Sequence, residues 1–300
     1  MPSSSHRPRK RFGQHFLHER GVFARIADAI CPSQDDYFLE IGPGEGALTR
    51  QLVGRCARLD VIEIDRDLAA SLREEFQDRI SVHEADALAF DYACLPRGCR
   101  VVGNLPYNIS TPLLFELARH AQGLRDLHFM LQLEVVERMV AAPRSASYGR
   151  LSVALQARFR MRKLFNVASG AFRPPPRVES AFVRLEPREK PLEIDEELLR
   201  RAFSARRKTL RNALPGFDFE ALGLDPRARP ETLSPEDYAR LSMNSILYPS
   251  RSSTKAITLV PPLTGPGSRV TLPPFVRTAS QAFFTSSNSS AIWPNALPRS

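Results

Sequence analysis

A short apolar run, Tyr37-Phe38-Leu39-Glu40-Ile41, leads straight into Gly42-Pro43-Gly44-Glu45-Gly46, and Ala47 to Val53 then reads as a helix. Strand, glycine loop, helix is the opening half of a Rossmann-like unit. Glycines let the backbone come close to a bound molecule and adopt conformations that a Cβ forbids. A glycine loop alone is a weak signal. It gains weight from Leu59-Asp60-Val61-Ile62-Glu63, a second strand ending in a carboxylate roughly twenty residues on, where such folds hold a ribose diol. Ile80-Ser81-Val82 reads as a third strand, and Asp86 just past it can accept a hydrogen bond from an adenine amine. Taken alone, Asp86 is better explained as a turn or helix cap. The spacing G-x-G-x-G, in place of G-x-G-x-x-G, leans away from a dinucleotide, and without a G-x-x-x-x-G-K-[ST] loop a P-loop nucleotidase is unsupported. Apolar residues at helical spacing predict helices over Val22 to Ile30 and Arg66 to Phe76.

A fourth strand, ending in Val101-Val102, runs into Gly103-Asn104-Leu105-Pro106-Tyr107-Asn108-Ile109. Ser110-Thr111-Pro112 then reads as a helix start, with Thr111 as cap and Pro112 in the first helical position. An amide, a fixed backbone kink and an aromatic ring thus meet where a strand ends, which is where open α/β sheets bind ligands. The Asn104 amide oxygen and the Leu105 carbonyl can accept both hydrogens of an exocyclic amine, and the Tyr107 ring can stack on a flat base. The simpler reading of the stretch is a turn-forming Asn-Leu-Pro. Beyond it the pattern predicts a helix from Pro112 to Ala118, a strand at Leu127 to Leu131 and a helix at Val135 to Val140. A further helix opens at Ser147 to Val153, with the basic run Arg158 to Lys163 near its end. Ala171-Phe172-Arg173-Pro174-Pro175-Pro176 is an extended, pre-ordered loop that can hold Phe172 against something flat, or anchor it in the core. Ser180 to Leu185 is a late strand.

Charge adds a partner class. The net charge is +9, but the segment 250–300 carries five basic residues and no acid, so the rest of the chain is nearly balanced. Within that rest the bases cluster: Arg7, Arg9, Lys10 and Arg11; Arg158, Arg160, Arg162 and Lys163; Arg206, Arg207, Lys208 and Arg211. Clustered bases on a balanced body suggest a polyanion footprint, against the alternative of ordinary solvated arginines. The last cluster lies on a helix predicted from Asp195 to Leu214, with short helices at Phe219–Leu222 and Pro235–Leu241 completing a small helical domain. After about Met243 the chain is rich in Ser, Thr and Pro and lacks acids, which predicts disorder and is what a shifted reading frame would produce. The four cysteines form no C-x-x-C pair and no histidine cluster joins them, so a zinc site or disulfide framework is not expected and a reducing cytoplasm fits. No apolar run approaches the length of a membrane span, and the N-terminus lacks the apolar stretch of a secretory signal.

Read in order, six segments carry a resemblance: Lys10-Arg11-Phe12-Gly13-Gln14-His15-Phe16-Leu17, Glu40 to Gly46, Val61-Ile62-Glu63-Ile64-Asp65, Asp86-Ala87, Gly103 to Ser110, and Phe172 to Pro176. Together they resemble the bacterial ribosomal RNA small-subunit (16S) adenine N6,N6-dimethyltransferase family, from about residue 7 to about residue 240. The resemblance implies an α/β chain: a Rossmann-like S-adenosylmethionine-dependent methyltransferase domain with a small C-terminal α-helical domain. The expected division is a basic arm over 1–20, the methyltransferase domain over 21–187, a helical RNA-binding domain over 188–243 and a disordered tail over 244–300. His15 and Leu17 would border the cofactor, with Gly42 and Gly44 close to its methionine and ribose part. Glu63 would hold the ribose hydroxyls and Asp86 the adenine amine. Asn104 would sit between cofactor and target base, beside the Leu105 carbonyl. Tyr107 and Phe172 would sandwich that base. Arg206, Arg207, Lys208 and Arg211 would contact RNA, and no metal is implied. The implied substrate is two adjacent adenosines in the 3′-terminal hairpin loop of 16S RNA, within the immature small subunit, acted on by a monomer. Members of the family end soon after the segment matching Pro235–Leu241, and this chain continues.

Three rivals stand beside that reading. The related 23S RNA adenine N6-methyltransferases share the glycine loop and an Asn-x-Pro-Tyr motif, but Leu105, the triple proline and Ser147-Tyr148-Gly149-Arg150-Leu151 favour the 16S enzyme. A non-catalytic small-subunit assembly factor would use the same basic faces, but the intact Asn104-Leu105-Pro106-Tyr107 argues for chemistry. An N6-adenine DNA methyltransferase more often reads Pro-Pro-Tyr at this place.

Overall fold

From Phe16 to Glu84 strands and α-helices alternate along the chain; beyond that, elements of one kind also follow one another. The structure, a computed structural model, describes residues 14–247, with side chains to 244. The basic start of the arm and the chain after 247 lie outside the described residues, and with them the expectation of a disordered tail. In order, the elements begin with β1 (Phe16–Leu17), α1 (Arg20–Ile30), β2 (Tyr37–Ile41), α2 (Thr49–Leu52), β3 (Arg58–Glu63) and α3 (Arg66–Phe76). There follow β4 (Ser81–Glu84), β5 (Cys99–Asn104), α4 (Ser110–Arg119), β6 (Leu124–Gln132), α5 (Leu133–Val140) and α6 (Arg150–Arg158). The last are β7 (Phe159–Val167), β8 (Phe172–Arg173), β9 (Ser180–Pro187), α7 (Glu196–Ser204), α8 (Leu210–Ala213) and α9 (Pro235–Leu247). All fall in one compact unit.

Seven strands form one sheet in the order β4-β3-β2-β5-β6-β9-β7. The first five run parallel, β9 is antiparallel to β6, and β7 is antiparallel to β9. Side chains alternate across a strand, so each buried strand feeds two layers. Leu39, Ile41, Val101 and Leu127 pack under Leu113 and Leu117 of α4, Val136 of α5 and Leu155 of α6. Phe38, Val61, Val102 and Met130 pack under Ile26 of α1, Leu52 of α2 and Phe76 of α3. At the N-terminal end of the parallel strands, buried Arg100 ties β2, β5, β6 and α1 together. It donates to Asp36 at 2.7 Å, to Asp126 at 2.8 Å and to the Ile30 carbonyl at 2.6 Å. The opposite end, where the strands run into loops, is left for the site.

Helices α7, α8 and α9 share a third cluster built on Leu198, Leu210, Tyr238 and Leu241. Ala141, Tyr148 and Val153 complete it, so the helical region draws part of its core from chain before residue 187. Among the described residues no helix is long and apolar enough to cross a membrane.

Five expectations need correction, the first being the short helix at Phe219–Leu222, where the chain makes turns instead. Residues 158–163 are not the basic end of a helix; α6 stops at Arg158 and β7 begins, with Phe159 and Met161 on the packed face and Arg160 and Arg162 alternating with them. The predicted helix from Asp195 to Leu214 breaks after Ser204. Lys208 donates its amide to Ala205, while the amides of Leu210 and Arg211 are taken by the carbonyls of Ala228 and Pro226. The helix after the Asn104 loop starts at Ser110, and Thr111 makes no cap; Ser110 Oγ instead donates to the Tyr107 carbonyl at 3.1 Å. Helix α9 runs to Leu247, past the expected end of the folded part at 243.

Candidate active site

The loops after β2, β3, β4 and β5 surround a cavity of about 340 Å³, within the range usual for small-molecule sites. Its floor is the glycine loop. Gly42 and Gly44 have φ of 67° and 58°, in the left-handed region. A Cβ on Gly44 would also lie 2.9 Å from the Phe16 ring, so only glycine fits beneath the arm. Gly103 answers to a second close approach, since a Cβ there would stand 2.4 Å from the Ile41 carbonyl oxygen.

Strand ends deliver the polar groups. Glu63, last in β3, is buried, and its two oxygens accept from the Gly44 amide at 3.1 Å and the Asp65 amide at 2.9 Å. Burial raises its carboxyl above the usual range, and those two amides oppose the rise. Asp86 lies past β4, exposed on the cavity rim, and one oxygen accepts from the Leu88 amide at 2.9 Å. It is therefore both the turn cap and a cavity residue.

Asn104 ends β5. Its Nδ2 donates to the His15 carbonyl at 2.8 Å, which fixes the amide plane and turns Oδ1 the other way. Leu105 is buried and its amide donates to the Met130 carbonyl at 3.2 Å, tying the loop to β6. Tyr107 shares a hydrogen bond of 2.6 Å with Ser180 Oγ at the start of β9. Burial raises the Tyr107 hydroxyl above its ordinary range, and the Ser180 contact pulls it back. On the Tyr107 ring lies His15, with centroids 5.5 Å apart and planes 27° off parallel. His15 Nδ1 is in turn 2.8 Å from the Pro174 carbonyl.

The arm reaches the site through a two-stranded ribbon, with Phe16 opposite Arg173 and Leu17 opposite Phe172. His15, Leu17, Gly42, Gly44, Glu63, Asp86, Asn104, Leu105 and Tyr107 all line the one cavity. Phe172 does not, and the expectation that it sandwiches a base with Tyr107 is corrected. The ribbon's register puts Phe172 on the buried side with Leu17, where it is 2% exposed in the α1 core. Of the expected RNA contacts, Arg206, Arg207 and Lys208 are exposed in the turn between α7 and α8, and Arg211 is exposed on α8. Arg206 is partly engaged, donating to the Ala146 carbonyl at 3.0 Å.

Sequence reasoning gave no role to Glu40 or Ser180. Glu40 lies in the second half of β2, 1% exposed, and lines the cavity. Thr49 Oγ1 donates to it at 2.7 Å. Burial pushes its carboxyl up to about 7, Thr49 opposes this, and the neighbouring Glu63 charge adds to it. An acid within the apolar run Tyr37 to Ile41 was the available signal. Ser180 could not be found from sequence, because its partner is far away in the chain.

A family described as ribosomal RNA adenine dimethylase matches residues 5–244. The chain belongs to it. Ribosomal RNA small subunit methyltransferase A of Aromatoleum aromaticum is 54% identical over 250 residues, covering 80% of this chain and 94% of that protein. The protein of the same name from Pseudomonas aeruginosa is 51% identical over 252 residues, covering 79% and 94%. Among solved structures, a dimethyladenosine transferase from Plasmodium falciparum superposes with a TM-score of 0.68 at 25% identity, over 79% of this chain and 99% of that one. A 23S rRNA methyltransferase, ErmE, gives 0.60 at 30% identity, over 76% and 98%. These likenesses fit the Rossmann-like sheet and the α/β fold expected of a family member.

Proposed function

We propose that this family member uses S-adenosylmethionine to dimethylate the N6 amines of two adjacent adenosines in the 3′-terminal hairpin loop of 16S ribosomal RNA. It acts in the cytoplasm, as a monomer, on the immature small subunit. The observation that carries the reading is the single cavity into which the glycine loop, Glu63 and Asp86 open beside the Asn104–Tyr107 loop. The residues present fit the cofactor. The tight glycine backbone leaves room for its methionine and ribose part. Glu63 would hold the ribose hydroxyls through the lone pairs that its two amide donors leave, and Asp86 the adenine amine through its second oxygen.

When bound, S-adenosylmethionine supplies an electrophilic methyl group on a good leaving group. The chain's own task is alignment. An adenine amine is a poor nucleophile because its lone pair is delocalised into the ring. Asn104 Oδ1, turned by the His15 carbonyl, and the Leu105 carbonyl can each accept one amine hydrogen, favouring a pyramidal nitrogen aimed into the cavity. Such positioning is worth at most about 7–11 kcal/mol. The base must leave its stack to arrive, and the Tyr107 ring offsets part of that cost, at about 1–3 kcal/mol for a stacked base.

The 50%-identical relatives bear the small-subunit name, which favours 16S over 23S RNA. Tritiated methyl transfer tests the choice. Small subunits lacking the modification should take up label on adenine N6, and 23S RNA and duplex DNA should not. Label confined to 23S RNA or DNA would overturn the reading.

A further inference from the structure

Among the described residues four acids line the cavity, Glu40, Glu45, Glu63 and Asp86, and no lysine or arginine does. Two of the four, Glu40 and Glu63, are almost wholly buried. Glu63 is satisfied by two backbone amides from different segments. Among the described residues Glu40 is held by the hydroxyl and the backbone of Thr49, and the neighbouring cation, Arg50, which favours its ionised form through space, makes its hydrogen bonds to Glu75 instead, two of 2.6 Å. A buried carboxylate without a cation is costly, and here it faces the space that takes the ligand.

We infer that Glu40 is a specificity-determining residue, whose buried carboxylate makes the cavity prefer the sulfonium-bearing methyl donor over the thioether left after transfer. The inference rests on the reading of this cavity as the cofactor site. Donor and product share the adenosyl group, the amino group and the carboxylate. They differ by one methyl group and one positive charge. An apolar wall barely separates such a pair, whereas a fixed negative charge in a low-dielectric site does. Two methylations of each of two adenines require repeated exchange of product for donor, so this preference bears on every turnover.

The charge is also adjustable. Glu40 shares its surroundings with Glu63 on β3, Thr49 and Arg50 on α2, Glu45 on the glycine loop and Asp86 beyond β4; His15 of the arm and Tyr107 line the same cavity, and α1 presents Phe23 and Ile26 to it. Its carboxyl is part-protonated near neutral pH. A cationic ligand favours the ionised form, so the donor releases more proton on binding than the product does. Preference for the donor therefore grows with pH.

Isothermal titration of the full chain without RNA tests this, using S-adenosylmethionine and S-adenosylhomocysteine in buffers of different ionisation heat. Between pH about 6 and about 8 the ratio of the two affinities should move about tenfold toward the donor. In Glu40→Gln the ratio should stay flat and the extra proton release should vanish. Thr49→Val removes the hydroxyl that favours the ionised form, and should move the transition to higher pH. A wild-type ratio that ignores pH, or an equal pH dependence in Glu40→Gln, overturns the inference. If Glu40→Gln does not fold, an unmoved transition in Thr49→Val overturns it. Failure of the wild type to bind either ligand would instead bring down the cofactor-site reading itself.

Discussion

The cavity and the turn between α7 and α8 are opposites in charge and in construction. In the cavity, acids sit at strand ends, and Glu40 and Glu63 each have a fixed, short hydrogen bond from a named donor. In the turn, Arg206, Arg207 and Lys208 stand in solvent. Burial makes the charges of Glu40 and Glu63 individually expensive, so each of these two must have a geometric reason, whereas Glu45 and Asp86 are exposed. Exposed charges act through their summed field, which tolerates imprecise placement. One region suits a single small cation held in register. The other suits a long polyanion that is first attracted and then aligned.

The largest expected effect tests where the cavity ends. Phe172→Ala should cost about 3–5 kcal/mol of stability in urea unfolding, because the ring fills the α1 core. Half-buried Tyr107→Ala should cost less than half as much. A Phe172→Ala protein of near-wild-type stability with weakened RNA binding would return that ring to the base site.

Next is Asn104→Ala, which removes a group aimed at the reacting amine and should lower kcat about 100- to 1,000-fold. Donor affinity by titration, and small-subunit binding, should stay within a few-fold of wild type. Activity near the wild-type level would remove Asn104 from the mechanism.

A third expectation reads the cost of the buried acid directly. The Glu40 carboxyl is held up to about 7 in the fold against an ordinary value of 4.5, so folding favours its protonated form. The stability it contributes is full below pH about 4.5 and is lost as pH rises to about 7, about 3 kcal/mol in all. Glu40→Gln has no such loss. Relative to wild type it should therefore gain stability between acid and pH about 8, read from ligand-free unfolding at each pH. A constant difference across that range would mean that Glu40 does not titrate there.

The smallest effect belongs to the turn. Arg207→Ala with Lys208→Ala should weaken small-subunit binding about tenfold and flatten its dependence on log salt by about one to two units. Affinity for the methyl donor should not change. A loss of donor affinity would mean that the two regions are not separable.

The same contrast explains how much was legible in sequence. Residues 37–63 could be read because a buried parallel strand is an apolar run, and its end is marked by glycine or by an acid. The Asn104 loop was readable for the same reason. The turn was misread because the chain after α7 is held by bonds from the amides of Leu210 and Arg211 to the carbonyls of Ala228 and Pro226, beyond the reach of local pattern. Strand β7 was missed for another reason. Its alternation was present, but the arginines in the outward positions read as the basic tail of a helix. Phe172 was misplaced because its side is fixed by pairing with Leu17, a register that no local pattern carries.

That pairing has a consequence in time. His15 is made well before its partners, since it meets Asn104 across 89 residues and Pro174 across 159. Contacts of such span form late, since the loop-closing entropy comes before the reward. A ribosome making this protein thus holds a strand end with its amide unaligned until the proline loop has emerged. The nascent chain can acquire its glycine loop and much of its sheet well before it can become a methyltransferase.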